Sequence, residues 1–221
     1  MTTKIFFDMD GVLVDFARGA VDTINDLMAT GDDSKKAIRR LINYDGPDKE
    51  PITVEFLENA TMKKDAKLQR TQWEKRVSDA MFSVVGTGGH EYWANLPPLP
   101  NFQSMIDAAI ELVGSENVYV CTAPVGDNNG CESGKRAWVA GNTNISADNV
   151  FVTEDKGSIA QQFPEDACIL IDDRKKYVDA WKAAGGIPIR HTPGDSQSSI
   201  SQLNLLVNSH KYEYSINTEE L

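Results

Sequence analysis

The chain has 221 residues, of which 41% are hydrophobic, and carries a formal net charge of −11. That length and apolar content suffice for one large domain or for a core with a smaller insert. The acidic balance argues against a nucleic-acid polymer as partner, because a negative surface repels the phosphate backbone, yet it leaves room for a small phosphate beside a metal ion and one or two lysines.

The first element is an apolar run, Ile5-Phe6-Phe7, that ends in Asp8-Met9-Asp10-Gly11. On a strand, residues two apart point to the same side. Asp8 and Asp10 therefore lie close together if the strand continues, or diverge into a shared pocket if it ends at Asp8. Two carboxylates at the end of a buried strand are costly unless a cation lies between them. A divalent metal such as Mg²⁺ fits, since hard cations take carboxylate and carbonyl oxygens. The plain alternative is a turn, where Asp and Gly are also common.

From about Ala17 to Leu96 no strand pattern appears. Apolar residues recur at helical spacing over 17–29, 34–43, 53–60 and 71–85, the last carrying Trp73, Val77, Met81 and Val84. The segment closes on the stiff stretch Pro97-Pro98-Leu99-Pro100. Beyond it, short β-rich runs (Val118–Cys121, Val150–Val152, Cys168–Ile171, Ile187–Ile189) alternate with helical periods at 102–113, 133–140, 174–184 and 196–208. Asn101 is the expected N-cap of the helix over 102–113 and Gly114 its stop. The tail after His210 is polar. Apolar strands alternating with helices predict an α/β fold, a doubly wound, Rossmann-like parallel sheet. The expected division is a core of residues 1–16 and 97–221 with an all-helical cap, 17–96, inserted after the first strand.

Cys121, Cys131 and Cys168 follow no CxxC spacing, and Cys121 and Cys168 read as small buried hydrophobes. No apolar run approaches the roughly 20 residues of a membrane span, and the first is too short for the core of a secretory signal. The expected setting is a reducing cytoplasm, with no membrane partner. A homodimer through the cap or the last helix is left open.

Ligands of open α/β sheets bind at the carboxyl ends of the strands. There stand Asp8 and Asp10, then Thr122-Ala123, then Thr153-Glu154-Asp155-Lys156, then Asp172-Asp173-Arg174, with Ser133-Gly134-Lys135 opening a helix. In this order the chain resembles the haloacid dehalogenase superfamily. Asp8-Met9-Asp10-Gly11-Val12 matches its first motif, Thr122 its second, Lys135 its third and Asp172-Asp173 its fourth. Within it, the stretches 8–16, 92–97, 121–124, 134–139 and 170–174 are similar to the 5′(3′)-deoxyribonucleotidases. Ala123 departs from that family, which commonly has a phosphate-touching serine there. The cap departs as well.

The resemblance implies a Mg²⁺-dependent phosphomonoesterase of nucleoside monophosphates. Asp8 would attack phosphorus and Asp10 would act as general acid and base. Asp8, the Asp10 carbonyl and Asp172 or Asp173 would hold the metal. Thr122 and Lys135 would stabilise the phosphoryl oxygens, with Lys156 ranked behind Lys135 for the lysine role. Gly11 would admit the phosphate to the backbone. Ala123, Arg174, Phe16, Trp73 and Trp93 complete the expected substrate contacts, although at least half of the cap aromatics are expected to be core. Two alternatives stand. One is the same chemistry on a sugar phosphate or phosphoglycolate, and the other is a catalytically silent nucleotide-binding protein. A dehalogenase has no need of the acid–base group that Asp10 supplies.

Overall fold

The computed structural model describes residues 2–125 and 130–219, with side chains through Ser209. Contacts divide the chain into two units. One comprises Met1–Val14, Pro98–Pro124 and Arg136–Leu221, and the other Asp15–Pro97 with Val125–Lys135. Residues 125 and 130–135, grouped with the sheet in the sequence-based division, fall in the second unit, and 126–129 lie outside the described residues.

The first unit is built on five parallel strands, β1 (Thr3–Phe7), β2 (Val118–Thr122), β3 (Val150–Val152), β4 (Ala167–Asp172) and β5 (Ile187–Arg190). Their spatial order is β3-β2-β1-β4-β5. Consecutive residues of β1 point to opposite faces, yet Ile5, Phe6 and Phe7 are all fully buried. Both faces are therefore covered, which explains the unbroken apolar runs. On the Phe6 face the ring stacks on Tyr119, with centroids 4.7 Å apart, and lies 5.0 Å from Trp181. Here α8 (Lys156–Ala160) supplies Ile159 and Ala160, and α9 (Lys175–Ala183) supplies Trp181. The Trp181 indole donates to the carbonyl of Cys168 at 3.0 Å, so the ring is buried with its polar atom satisfied. Two further helices, α6 (Phe102–Val113) and α10 (Ser196–Glu219), pack on each other; α6 also meets β1 and β2, and α10 meets β5.

The second unit is helical: α1 (Phe16–Thr30), α2 (Lys36–Ile42), α3 (Val54–Asp65), α4 (Gln72–Thr87) and α5 (Gly89–Ala94), with the first turn of α7 (Cys131–Asn142). Its hub is α4, which packs against α1, α2, α3 and α5. Trp73, Val77, Ala80, Met81 and Val84, spaced three and four apart, are the buried stripe that makes this possible. The helix opens on a capping box in which Thr71 and Glu74 exchange hydrogen bonds with each other's backbone N–H.

Gly114 ends α6 at φ 82° as expected, but Asn101 does not cap it. At φ 64° its backbone is left-handed, not in the extended conformation that places an N-cap side chain over the first turn. The backbone of α10 continues to Glu219, through the stretch that reads as a polar tail. Helices α5 and α8 have no period legible in sequence, because six and five residues are less than two turns. The three cysteines are buried and free, and burial pushes the thiols of Cys121 and Cys168 up to about 12 and about 11. Among the described residues no helix is long and apolar enough to cross a membrane.

Phe6→Ala removes the ring on which this face of the core stacks, and urea unfolding should show a loss of about 3–5 kcal/mol. His191, buried after β5 with Nδ1 2.8 Å from Ser199 Oγ, has its pKa lowered from 6.5 by burial, with Asp195 opposing. A depressed folded pKa contributes stability that is present above pH 6.5 and is lost as pH falls toward the folded value. His191→Asn, which cannot titrate, should therefore lose less stability than the wild type when unfolding is compared at pH 7.5 and pH 5.

Candidate active site

In this strand order the connections run to opposite sides of β1, so the crevice between β1 and β4 is the switch point where open sheets bind ligands. The residues there follow from the register. Phe7 lies opposite Ile171, and the Asp8 N–H continues the ladder to the Ile171 carbonyl at 2.9 Å. Asp8 is thus set beside Asp172, and both are buried, 3% and 0% exposed.

After Asp8 the chain does not extend but curls. The amides of Val12, Leu13 and Val14 all donate to the Met9 carbonyl, and the Gly11 N–H donates to that of Val14. Asp10 is half-buried on this turn. Gly11 has φ 78°, and a Cβ there would lie 2.8 Å from Asp173 Oδ2. What requires glycine, then, is both the left-handed backbone and the close approach of the Asp173 carboxylate.

Lys156, which ranks second from sequence alone, is paired with Asp8. Its ammonium lies 2.9 Å from Asp8 Oδ1 and 2.6 Å from Asp172 Oδ2, and the side chain is fully buried. Lys156 is the first residue of α8, held by the N-cap Asp155, whose side chain accepts from the Ser158 N–H. Burial alone would lower its pKa, but Asp8 and Asp172 outweigh that and raise it. The other end of Asp172 is fixed by the Arg174 N–H, which donates to Oδ1 at 2.8 Å.

Carboxylate oxygens of Asp8, Asp172 and Asp173 lie within 4.8 Å of one another. Lys156 pairs with two of these three carboxylates, Asp8 and Asp172. Burial, then Asp8, raises the pKa of Asp172, and the same two causes push Asp173 up to about 7. Asp173 Oδ1 is buried without a hydrogen-bond partner among the described residues. A clustered all-oxygen set with one unsatisfied oxygen fits Mg²⁺.

Thr122 is buried at the end of β2, and its carbonyl accepts from the Thr153 N–H at 2.8 Å. Ala123 is half-buried and Arg174 exposed. Phe16, Trp73, Trp93 and Lys135 belong to the helical unit. There Phe16 stacks on Trp93, with centroids 6.0 Å apart, and Lys135 Nζ stands 4.9 Å from the Trp93 centroid. Neither indole presents an open face, each being 1% exposed. Trp73 is packed on Tyr44, and its indole donates to the Glu50 carbonyl at 2.8 Å. Close packing fixes the start of α7, since a Cβ on Gly134 would lie 2.5 Å from both the His90 carbonyl oxygen and the Trp93 Cβ.

No family model matches the sequence, and no curated protein does. Solved structures do resemble it. A hydrolase from Streptococcus pneumoniae TIGR4 aligns over 94% of this chain and 100% of its own, at 10% identity and a TM-score of 0.50. A haloacid dehalogenase-like hydrolase from Xanthomonas campestris aligns over 96% and 94%, at 14% identity and 0.48. A haloacid dehalogenase family enzyme from Bacteroides thetaiotaomicron, in complex with magnesium and inorganic phosphate, aligns over 88% and 96%, at 14% and 0.42. The likeness to the Streptococcus pneumoniae protein is one of fold, a five-stranded parallel sheet flanked by helices.

Lys156→Met leaves Asp8 and Asp172 buried against each other, and urea unfolding of the metal-free protein should show a loss of about 3–5 kcal/mol. Lys156→Met with Asp172→Asn, which removes one of the two charges, should recover part of it.

Proposed function

We propose that the chain is a Mg²⁺-dependent phosphomonoesterase of the haloacid dehalogenase type, with Asp8 as nucleophile and a nucleoside monophosphate as substrate. The observation that carries the reading is the buried Asp8–Lys156–Asp172 cluster, with Asp173 beside it, at the switch point of the sheet. An acidic pocket by itself repels a phosphate ester, so the cluster needs a cation before it can accept one. The carboxylates of Asp8, Asp172 and Asp173, with the Asp10 carbonyl, are the residues that would hold Mg²⁺. Bound there, the ion would neutralise the phosphoryl oxygens and favour attack by an anion.

The chain's own groups supply the rest. Lys156 and the Met9 N–H, 2.7 Å from Asp8 Oδ1, fix the carboxylate that attacks. An Asp8 oxygen forms the bond to phosphorus as the ester P–O bond breaks, and Asp10 gives its proton to the leaving oxygen. Asp10, now a carboxylate, takes a proton from water, which attacks phosphorus and releases Asp8. Thr122 stands at the neighbouring strand end to hold a phosphoryl oxygen. The nucleotide as substrate is supported by the similarity of stretches 92–97, 121–124, 134–139 and 170–174 to the deoxyribonucleotidases.

Phosphate release should be measured with Mg²⁺ and with EDTA on dUMP, dTMP, dCMP, dGMP, AMP and a set of sugar phosphates. Release should require Mg²⁺, be greatest on deoxynucleotides, and fall at least about a thousandfold in Asp8→Asn. Release chiefly from sugar phosphates would keep the mechanism and discard the nucleotide. Release unaffected by Asp8→Asn would discard both.

A further inference from the structure

Resting on that reading, we propose that Tyr177 is a positioning residue for Lys156: its ring packs on the ammonium beside the two carboxylates and so holds the lysine on Asp8. An ammonium has three N–H bonds. Two of them are taken by Asp8 Oδ1 at 2.9 Å and Asp172 Oδ2 at 2.6 Å. The Tyr177 ring centroid stands 4.4 Å from Lys156 Nζ, well inside the range at which a cation is attracted to an aromatic face. Lys156 is fully buried and Tyr177 is 5% exposed, so the contact is shielded from bulk water.

The placement of the ring is itself built. Tyr177 lies in the first turn of α9, with its N–H on the Arg174 carbonyl at 3.0 Å, so the turn that presents Asp172 and Asp173 also presents the ring. At its far end the Tyr177 hydroxyl lies 3.0 Å from Glu154 Oε2, and Lys176 Nζ lies 3.4 Å from the same oxygen. Glu154 is two residues before Lys156. The hydroxyl meets the lysine's loop only through this exposed carboxylate, so the ring and not this bond is what bears on the ammonium. A lysine has a long, flexible stem. Without the ring, the ammonium can turn toward entering water and release Asp8 to other rotamers, which lowers the rate of attack more than it weakens substrate binding.

The test compares Tyr177→Phe, which keeps the ring, with Tyr177→Leu, which removes it. Two readouts are used: steady-state kinetics on the best phosphate ester, and the proton shifts of the Lys156 ε-methylene in the intact Mg²⁺-loaded protein, assigned with Lys156→Arg. In wild type and Tyr177→Phe the methylene should lie upfield through the ring current, and kcat should agree within about twofold. In Tyr177→Leu the upfield shift should vanish and kcat should fall about tenfold with KM within about twofold, the size of effect a desolvated cation–π contact carries. A folded Tyr177→Leu variant with unchanged kcat overturns the proposal. So does an equal loss in both variants, which would assign the role to the hydroxyl. If Tyr177→Leu does not fold, the absence of an upfield shift in wild type and Tyr177→Phe overturns it on its own. If the wild type hydrolyses no ester, the phosphatase reading fails, and the methylene shift still decides whether the ring holds the lysine.

Discussion

The buried carboxylate pair at the switch point depends on the Lys156 ammonium. Asp8 and Asp172 are forced together by the register of two adjacent parallel strands, in a place where neither is hydrated. Two such carboxylates side by side are tolerable only with a cation between them, and Lys156 is that cation. Its position constrains its surroundings in turn. Helix α8 begins at Lys156, the Tyr177 ring lies 4.4 Å from Nζ, and the second oxygen of Asp172 accepts from the Arg174 amide. Asp173, the third carboxylate of the cluster, has its pKa pushed up by burial and by the neighbouring Asp8.

The sheet converts distance in sequence into proximity. Asp8, Lys156 and Asp172 come from three separate βα connections, and parallel strands deliver all three to one edge. A sheet covered on both faces is a rigid support, because each strand residue is locked between layers. The loops at its edge can then carry unfavourable features, such as the left-handed Gly11 pressed against Asp173.

The helical unit follows a different logic. Its order comes from α4, a stripe of apolar residues against which α1, α2 and α3 pack. Trp73 and Trp93 serve that packing, each buried with an aromatic neighbour. An indole at helical spacing with Val77 and Met81 buries more apolar area than it could gain by facing water, so an interior position is its ordinary fate.

The sequence by itself determined the strands, the longer helices and the residues at the strand ends. Unbroken apolar runs mark doubly covered strands, a three–four period marks helices, and carboxylates placed directly after such runs have nowhere to go but the sheet edge. Thus Asp8, Asp172 and Asp173 were legible as a group before any coordinates. Only the tertiary structure showed that Lys156 pairs with Asp8 and Asp172. From sequence Lys135 ranks ahead of Lys156, because its flanking stretch 134–139 resembles the deoxyribonucleotidases. Lys156 reaches Asp8 through the strand order, which is set by pairings more than a hundred residues apart. The same holds for Tyr177, which looks like an ordinary residue of an amphipathic helix. Its neighbour across space, Lys156, lies 21 positions earlier in the chain, and no periodicity connects the two.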